Sequence, residues 1–293
     1  MQGVVLTVDV EEWFQTSGLS VPIEDWSRYE SRVWQSTEKI LGWVDAHHIH
    51  VTWFVLGEVA KRYPELVRTI AKGGHEIASH GMRHQMVNRL SQDQFRMDVR
   101  ESRQLLEDIS GQQVVAYRAP SWSIGEGRFA ALRILEEEGY RVDSSVQPFA
   151  TPLSGVRGAP VGPYHPKVEG QALDLLEVPP SVLPVGGSKL GITIPCAGGF
   201  YMRALPYPIF QACLRGVTQK RAGVVYVHPW EFDFAQPRLS VPLPVRFVQY
   251  LNLRQTESKF LRLLRDNTFI TLQQLVEQSR YPVISLGKDA SLW

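Results

Sequence analysis

Cysteine is scarce: the chain has two, Cys196 and Cys213. Two thiols cannot build a disulfide framework or a zinc–thiolate cluster, so both read as small apolar fillers. A surplus of one charge is missing too. The 31 Lys and Arg stand against 30 Asp and Glu, for a net charge of +1. That balance offers no general affinity for nucleic acid or an anionic membrane. No apolar run is long enough to cross a bilayer. The opening Met1–Asp9 lacks the basic segment, apolar run and small-residue cleavage site of a secretory signal. Cytoplasmic residence is therefore expected, with any membrane contact peripheral and at the inner face. No internal repeat, low-complexity tract or linker is visible. One domain over residues 1–293 is the expectation, with 147–220 as an elaboration and 221–293 carrying the last strands and C-terminal helices.

What is present is ordinary for a globular protein: 44% hydrophobic and 21% charged residues. Short apolar runs at Gly3–Asp9, Val51–Leu56, Glu76–Ala78, Val114–Tyr117 and Arg141–Asp143 predict buried strands. Helical patterns alternate with them. Val33, Ile40, Leu41 and Val44 share one face, as do Phe95, Val99, Leu106 and Ile109 behind a capping box at Ser91–Gln94. Later, Val224–Val227 and Phe269–Thr271 read as strands, Phe247–Leu264 as one helix and Leu272–Ser279 as another. The alternation predicts an α/β fold with a parallel sheet, barrel or open. It breaks at Gln147–Gly170, which five prolines mark as a long loop over the site, with His165 solvated. Gly198–Arg203 is glycine-punctuated and reads as a tight turn or a groove wall.

The side chains able to do chemistry follow strands. Gly74–His84 holds three of the eight histidines. His80 and His84 are four apart, so on one helical turn they share a face and offer two metal ligands; a solvated polar turn is the alternative. Asp9 and Glu11 end the first strand. Residues i and i+2 of a strand point the same way, so these two share a face and Glu12 points away. An acidic turn is the rival reading. Arg118, Asp143 and His228 also sit at strand ends, where an α/β barrel keeps its chemistry.

Taken in order, Thr7-Val-Asp-Val-Glu11, His80-x3-His84, Arg118-Ala-Pro120, Asp143 and Tyr226-Val-His228 resemble the polysaccharide deacetylase family of carbohydrate esterases, of the NodB-homology type. The connecting text Val51–Gly57, Arg62–Leu66 and Gly74–His80 matches as well. Residues 150–220 resemble an elaboration found in a bacterial subgroup tied to exopolysaccharide and exosortase systems. The resemblance implies a distorted (β/α) barrel, TIM-like with fewer than eight regular strands, plus a loop-rich insertion. It implies one divalent metal, usually zinc, with cobalt, manganese and nickel as alternatives. Carried over by motif, Glu11, His80 and His84 hold the metal and Asp9 is the general base. The spacing departs from the family pattern of adjacent aspartates, because Val10 intervenes; Glu12 is the substitute ligand. Arg118 holds Asp9 by a bidentate pair, His228 is the general acid, and Asp143 tunes it. The Ser121 backbone N–H serves the oxyanion and Trp122 stacks on a sugar face.

The implied reaction is hydrolysis of an N-acetyl group on a bacterial exopolysaccharide or its lipid-linked precursor. The expected partner is thus an N-acetylated glycan, not nucleic acid, and no integral membrane segment is expected. Two rivals stand beside it. One is an amidohydrolase acting on a small cyclic amide or ureide, with 147–170 as a lid. The other is a carbohydrate-binding module without catalysis. The sequence does not choose between N- and O-deacetylation and is silent on oligomeric state.

Overall fold

Every residue of the first strand is buried, which needs cover on both faces of a parallel sheet. The computed structural model describes residues 2–185, 192–278 and 280–287. In chain order it runs β1 (Val4–Val10), α1 (Val33–Ala46), β2 (Thr52–Val55), α2 (Gly57–Arg62), α3 (Pro64–Lys72), β3 (Glu76–Ser79), α4 (Gln92–Ser110), β4 (Ala116–Tyr117), α5 (Ala130–Glu137) and β5 (Val142–Asp143). Then come β6 (His165–Val168), β7 (Gln171–Ala172), β8 (Leu176–Glu177), β9 (Val182–Val185), β10 (Ile192–Pro195), α6 (Gly199–Ala204), α7 (Tyr207–Thr218) and β11 (Gly223–Val227). The chain continues with α8 (Leu243–Tyr250), α9 (Leu253–Asp266), β12 (Phe269–Ile270), α10 (Leu272–Glu277) and β13 (Val283–Ser285).

The main sheet runs β11-β1-β2-β3-β4-β5-β8, with β12 also beside β1, and every pairing is parallel. It curls into a half-barrel with helices outside, as the barrel expectation required. Its edge strands do not pair. Ser181 spans the gap instead: its N–H donates to Val224 O at 3.2 Å and its hydroxyl accepts from Val224 N at 2.6 Å. The outer layer packs Val4, Leu6, Val8 and Val10 of β1 against the helices. The inner face carries Val5, Phe54, Ala78, Ala116, Val142 and Val224.

Local chemistry explains the boundaries. Ser91 and Gln94 form the reciprocal capping box that starts α4, and Gly111, at φ 70°, ends it. Pro64 opens α3, where its missing N–H costs nothing. Three expectations change. The helix predicted over Phe247–Leu264 is two, α8 and α9, because Leu251 is extended and Asn252 turns left-handed at φ 52°. The 147–170 loop ends in β6, and His165 is half-buried, its Nδ1–H donating to Leu175 O at 3.1 Å. Gly198–Arg203 forms helix α6 rather than a turn. Ser279, the predicted end of the last helix, lies outside the described residues. Among the described residues, no helix is long and apolar enough to cross a membrane.

Candidate active site

Pleat parity assembles the site. Val5 points inward, so Thr7 and Asp9 do as well, and Glu11 follows just past the strand. Inward Ala78 is followed two residues on by His80, Ala116 by Arg118, Val142 by Ser144 and Val224 by Tyr226, with His228 two further on. All these side chains converge at the carboxyl ends of the strands, the catalytic end of barrel folds.

Glu11, His80 and His84 come together, with one ligand atom of each within 4.8 Å of the others. His84 Nε2 lies 2.6 Å from Glu11 Oε2, and His80 Nε2 lies 3.8 Å from it. His80 Nδ1–H donates to the Arg118 carbonyl at 2.9 Å, so its Nε2 carries the free lone pair a metal needs. Burial pushes the His80 imidazole down to about 4, against the pull of Asp9, which keeps it neutral. Burial alone would raise the Glu11 carboxyl, but His84 above all holds it down to about 2. Glu11 Oε2 is buried and faces both imidazole Nε2 atoms. A buried carboxylate and two imidazoles whose ligand atoms face one another fit a divalent cation. The two histidines do not share a helical turn, as expected, but lie on the loop after β3, where His84 adopts φ 51°. Glu12 is turned away: its carboxylate accepts from the Ser31 hydroxyl and from Arg32 N at 3.0 Å, pinning the segment before α1. Trp230, absent from the candidates read off the sequence, donates from Nε1 to Glu11 Oε1 at 3.0 Å.

Asp9 is buried and paired with Arg118, also fully buried, at 2.6 Å from Nη1 to Oδ1. The pair is not bidentate. Nη1 also donates to the Thr7 hydroxyl at 2.8 Å, while Nη2 turns to the Ser144 hydroxyl at 3.0 Å. That rotation leaves Asp9 Oδ2 without a hydrogen-bond partner. His228 Nε2 lies 3.8 Å from Asp9 Oδ2 and 3.8 Å from Glu11 Oε1, and its ring stacks on Trp230.

The acid behind His228 is Glu231, not Asp143. Glu231 Oε1 lies 3.6 Å from His228 Nδ1 and 3.3 Å from Arg203 Nη2. Burial opposes the charge on His228, yet Glu231, Glu11 and Asp9 together raise the imidazole to about 9. Asp143 fails by parity: Val142 faces inward, so its neighbour faces the helices. There it sits opposite Glu177 in the β5–β8 register and accepts from the Ser145 hydroxyl. Burial raises both carboxyls, Asp143 to about 6 and Glu177 well above its ordinary value, and the Asp143 charge pushes Glu177 up further.

Ser121 and Trp122 both have positive φ, 55° and 51°, which is sterically costly for a bulky residue. Trp122 is 7% exposed and packs on Tyr226 at 4.2 Å between ring centroids.

Residues 28–142 match the polysaccharide deacetylase family model, and residues 144–277 match a domain of unknown function, DUF3473. An uncharacterised 30.6 kDa protein of Geobacillus stearothermophilus is 31% identical over 105 residues, covering 36% of this chain and 39% of that protein. A peptidoglycan-N-acetylglucosamine deacetylase of Bacillus cereus is 30% identical over 92 residues, covering 31% and 34% respectively. The alignments thus span well under half of these relatives. A Mycobacterium smegmatis structure assigned provisionally as a polysaccharide deacetylase superposes with a TM-score of 0.64 at 22% identity, covering 97% of this chain and 93% of that one. A mutant of a CE4-family pseudoenzyme with restored activity gives a TM-score of 0.50 at 14% identity, covering 97% and 69%. At such identities the structures show the fold alone. The polysaccharide deacetylase match thus rests on residues 28–142, and the curated relatives align over about a third of this chain. The matched stretch 28–142 holds His80, His84 and Arg118; Asp9, Glu11 and His228 lie outside it and reach the site through β1 and β11.

Proposed function

We propose that this chain is a metal-dependent hydrolase that removes N-acetyl groups from a bacterial exopolysaccharide or its lipid-linked precursor. The observation that carries this reading is the pairing of a partnerless Asp9 Oδ2 with His228 Nε2, 3.8 Å apart and beside the Glu11–His80–His84 set. Glu11 Oε2, His80 Nε2 and His84 Nε2 would hold the metal, zinc being the ion best suited to one carboxylate and two imidazoles. When bound it would supply positive charge for the amide oxygen and an acidified water.

The protein's own groups divide the proton work. Asp9 Oδ2 accepts the proton of the attacking water, while Arg118 fixes Oδ1 and keeps the carboxylate aimed. The backbone N–H of Ser121 donates to the developing oxyanion. His228 gives its Nε2 proton to the amide nitrogen as the C–N bond breaks, releasing acetate and a free amine. Glu231, held by Arg203, keeps His228 protonated and oriented. Strands flanking residues 28–142 and strands within 144–277 share one sheet, so we take the chain to act as one domain.

A cleft of about 360 Å³ lies between the 123–128 turn and the 150–157 loop, lined by Ser123, Glu126, Arg128 and Arg157 among others; none of the proposed catalytic or metal-holding residues lines it. The test is acetate release from a panel of N-acetylated glycans by zinc-restored protein, beside Asp9→Asn. Release by the wild type alone supports the reading. Folded, metal-loaded wild type that releases nothing from the whole panel overturns it. Turnover of cyclic amides without glycans would establish the amidohydrolase instead, and glycan affinity without turnover the binding module.

A further inference from the structure

Whole-chain charge balance conceals a local imbalance. Residues 234–256 contain three arginines, Arg238, Arg246 and Arg254, and not one acid. All three are exposed, and among the described residues none has a carboxylate partner. The same stretch concentrates exposed apolar surface. Of ten large apolar side chains that stand exposed among the described residues, four lie here: Leu243 at 78%, Phe247 at 55%, Phe234 at 51% and Val248 at 49%.

Helix α8 is inverted relative to a normal surface helix. It buries Gln249 and Tyr250 and presents Leu243, Arg246, Phe247 and Val248 outward. Gln249 is spent inside, donating to Trp13 O at 3.3 Å and accepting from the Thr16 hydroxyl at 3.3 Å. Leu243 and Phe247 are four apart, so they share a face. The cations sit among these apolar groups: Arg254 lies over the Phe234 ring at 4.7 Å, and Arg238 over Tyr250 at 5.4 Å. Prolines at 237, 242 and 244 stiffen the approach.

We propose that this face, Phe234 to Arg254, docks on an anionic phospholipid bilayer. Bulky apolar side chains interspersed with cations and with no acid between residues 234 and 256 are what the headgroup boundary takes up; the rim of a protein–protein interface is mixed in charge. The face is tied to the site. Arg203, which holds Glu231 behind His228, also donates to Val248 O at 3.0 Å and Leu251 O at 2.6 Å. The Phe247 ring meets that of Phe200, next to Gly199, where an added Cβ would clash with the Glu231 carboxylate. Docking would set the rim of the site on the membrane. That use rests on the deacetylase reading with a lipid-linked substrate, but the docking itself does not.

The experiment is sedimentation of the full chain with vesicles of phosphatidylcholine alone and of phosphatidylcholine mixed with phosphatidylglycerol, alongside the double variant L243D/F247D and the single variants R246E and R254E. Wild type should pellet with the mixed vesicles and far less with phosphatidylcholine alone, and rising salt should release it. Each arginine reversal should weaken binding about fivefold or more, and L243D/F247D by tenfold or more. Circular dichroism and metal content of the variants should match wild type, and acetate release from soluble oligosaccharides should be unchanged. Binding with no activity would leave docking standing and remove only the proposed function. Failure of folded wild type to bind mixed vesicles overturns docking, and so does equal binding by L243D/F247D. A wild-type dimer that L243D/F247D dissolves would assign the face to a second copy instead.

Discussion

Replacing Glu231 with Gln tests whether this acid runs the His228 proton. With Glu231, Glu11 and Asp9 around it, His228 sits at about 9 despite its burial, so at pH 7 about 99% of it is protonated. Glu231 comes first among the groups that raise it. At its ordinary value of about 6.5, only about a quarter would be protonated at pH 7, a fourfold loss. Burial would carry it lower still, and the oriented donor would be lost with it. Loss of a positioned general acid costs about 10²–10⁴ in rate. Glu231→Gln should therefore lower kcat on an N-acetylated glycan by about tenfold to a thousandfold with little change in KM, and shift the alkaline limb of its pH profile downward. On 4-nitrophenyl acetate, whose leaving group needs no proton, the variant should keep wild-type rates. Glu231→Asp should restore part of the glycan rate. Equal losses on both substrates, with metal content and melting temperature preserved, would refute the assignment, because a leaving-group acid has to discriminate between them.

Trp230→Phe removes the donor to Glu11 and should weaken metal affinity about 10–100-fold in a competition titration, as loss of an outer-shell hydrogen bond does. Arg118→Met leaves the buried Asp9 carboxylate unpaired and should cost about 3–5 kcal/mol in denaturant unfolding. Asp143 and Glu177 bind protons more tightly folded than unfolded, so their contribution is fullest below the ordinary carboxylate range and is lost as pH rises through about 6, the Asp143 value. Glu177→Gln removes that proton linkage while keeping the acceptor for Val146 N, and the gap in denaturant midpoint between pH 5 and pH 8 should narrow. An unchanged gap would mean the two acids are not linked.

The sheet and the inward placement of Glu11 were legible because both follow from period-two patterning. β1 alternates outer Val4, Leu6, Val8 and Val10 with inner Val5, Thr7 and Asp9, and this selects Glu11 over Glu12 without coordinates. The same rule, applied to β5, would have sent Asp143 outward and Ser144 inward to Arg118. Motif resemblance led there instead. Glu231 had a local signal, three residues beyond His228 in a proline-opened turn, but its meaning depends on Arg203, 28 residues away. The break between α8 and α9 was invisible because apolar spacing continues across Leu251, while the left-handed Asn252 is a backbone event. The exposed apolar face of α8 was hidden in the same way: Phe247 and Val248 fit a helical spacing, and the structure gives the inner position to Gln249.

A fold shared with a CE4-family pseudoenzyme does not by itself imply catalysis, so the argument for activity has to come from the groups behind the reacting atoms. Those groups are specific here. His80 has its Nδ1 fixed on a carbonyl, Glu11 is steadied by Trp230, and Arg118 spends its second arm on Ser144, leaving one Asp9 oxygen bare. Each arrangement leaves a polar atom unpartnered or a charge buried, at a cost of about 1–3 kcal/mol for an unmet hydrogen bond. A scaffold kept only for binding could relieve those costs with neutral, self-satisfied side chains. The convergence of the site's own groups at the carboxyl ends of five strands is the arrangement the proposed proton transfers need.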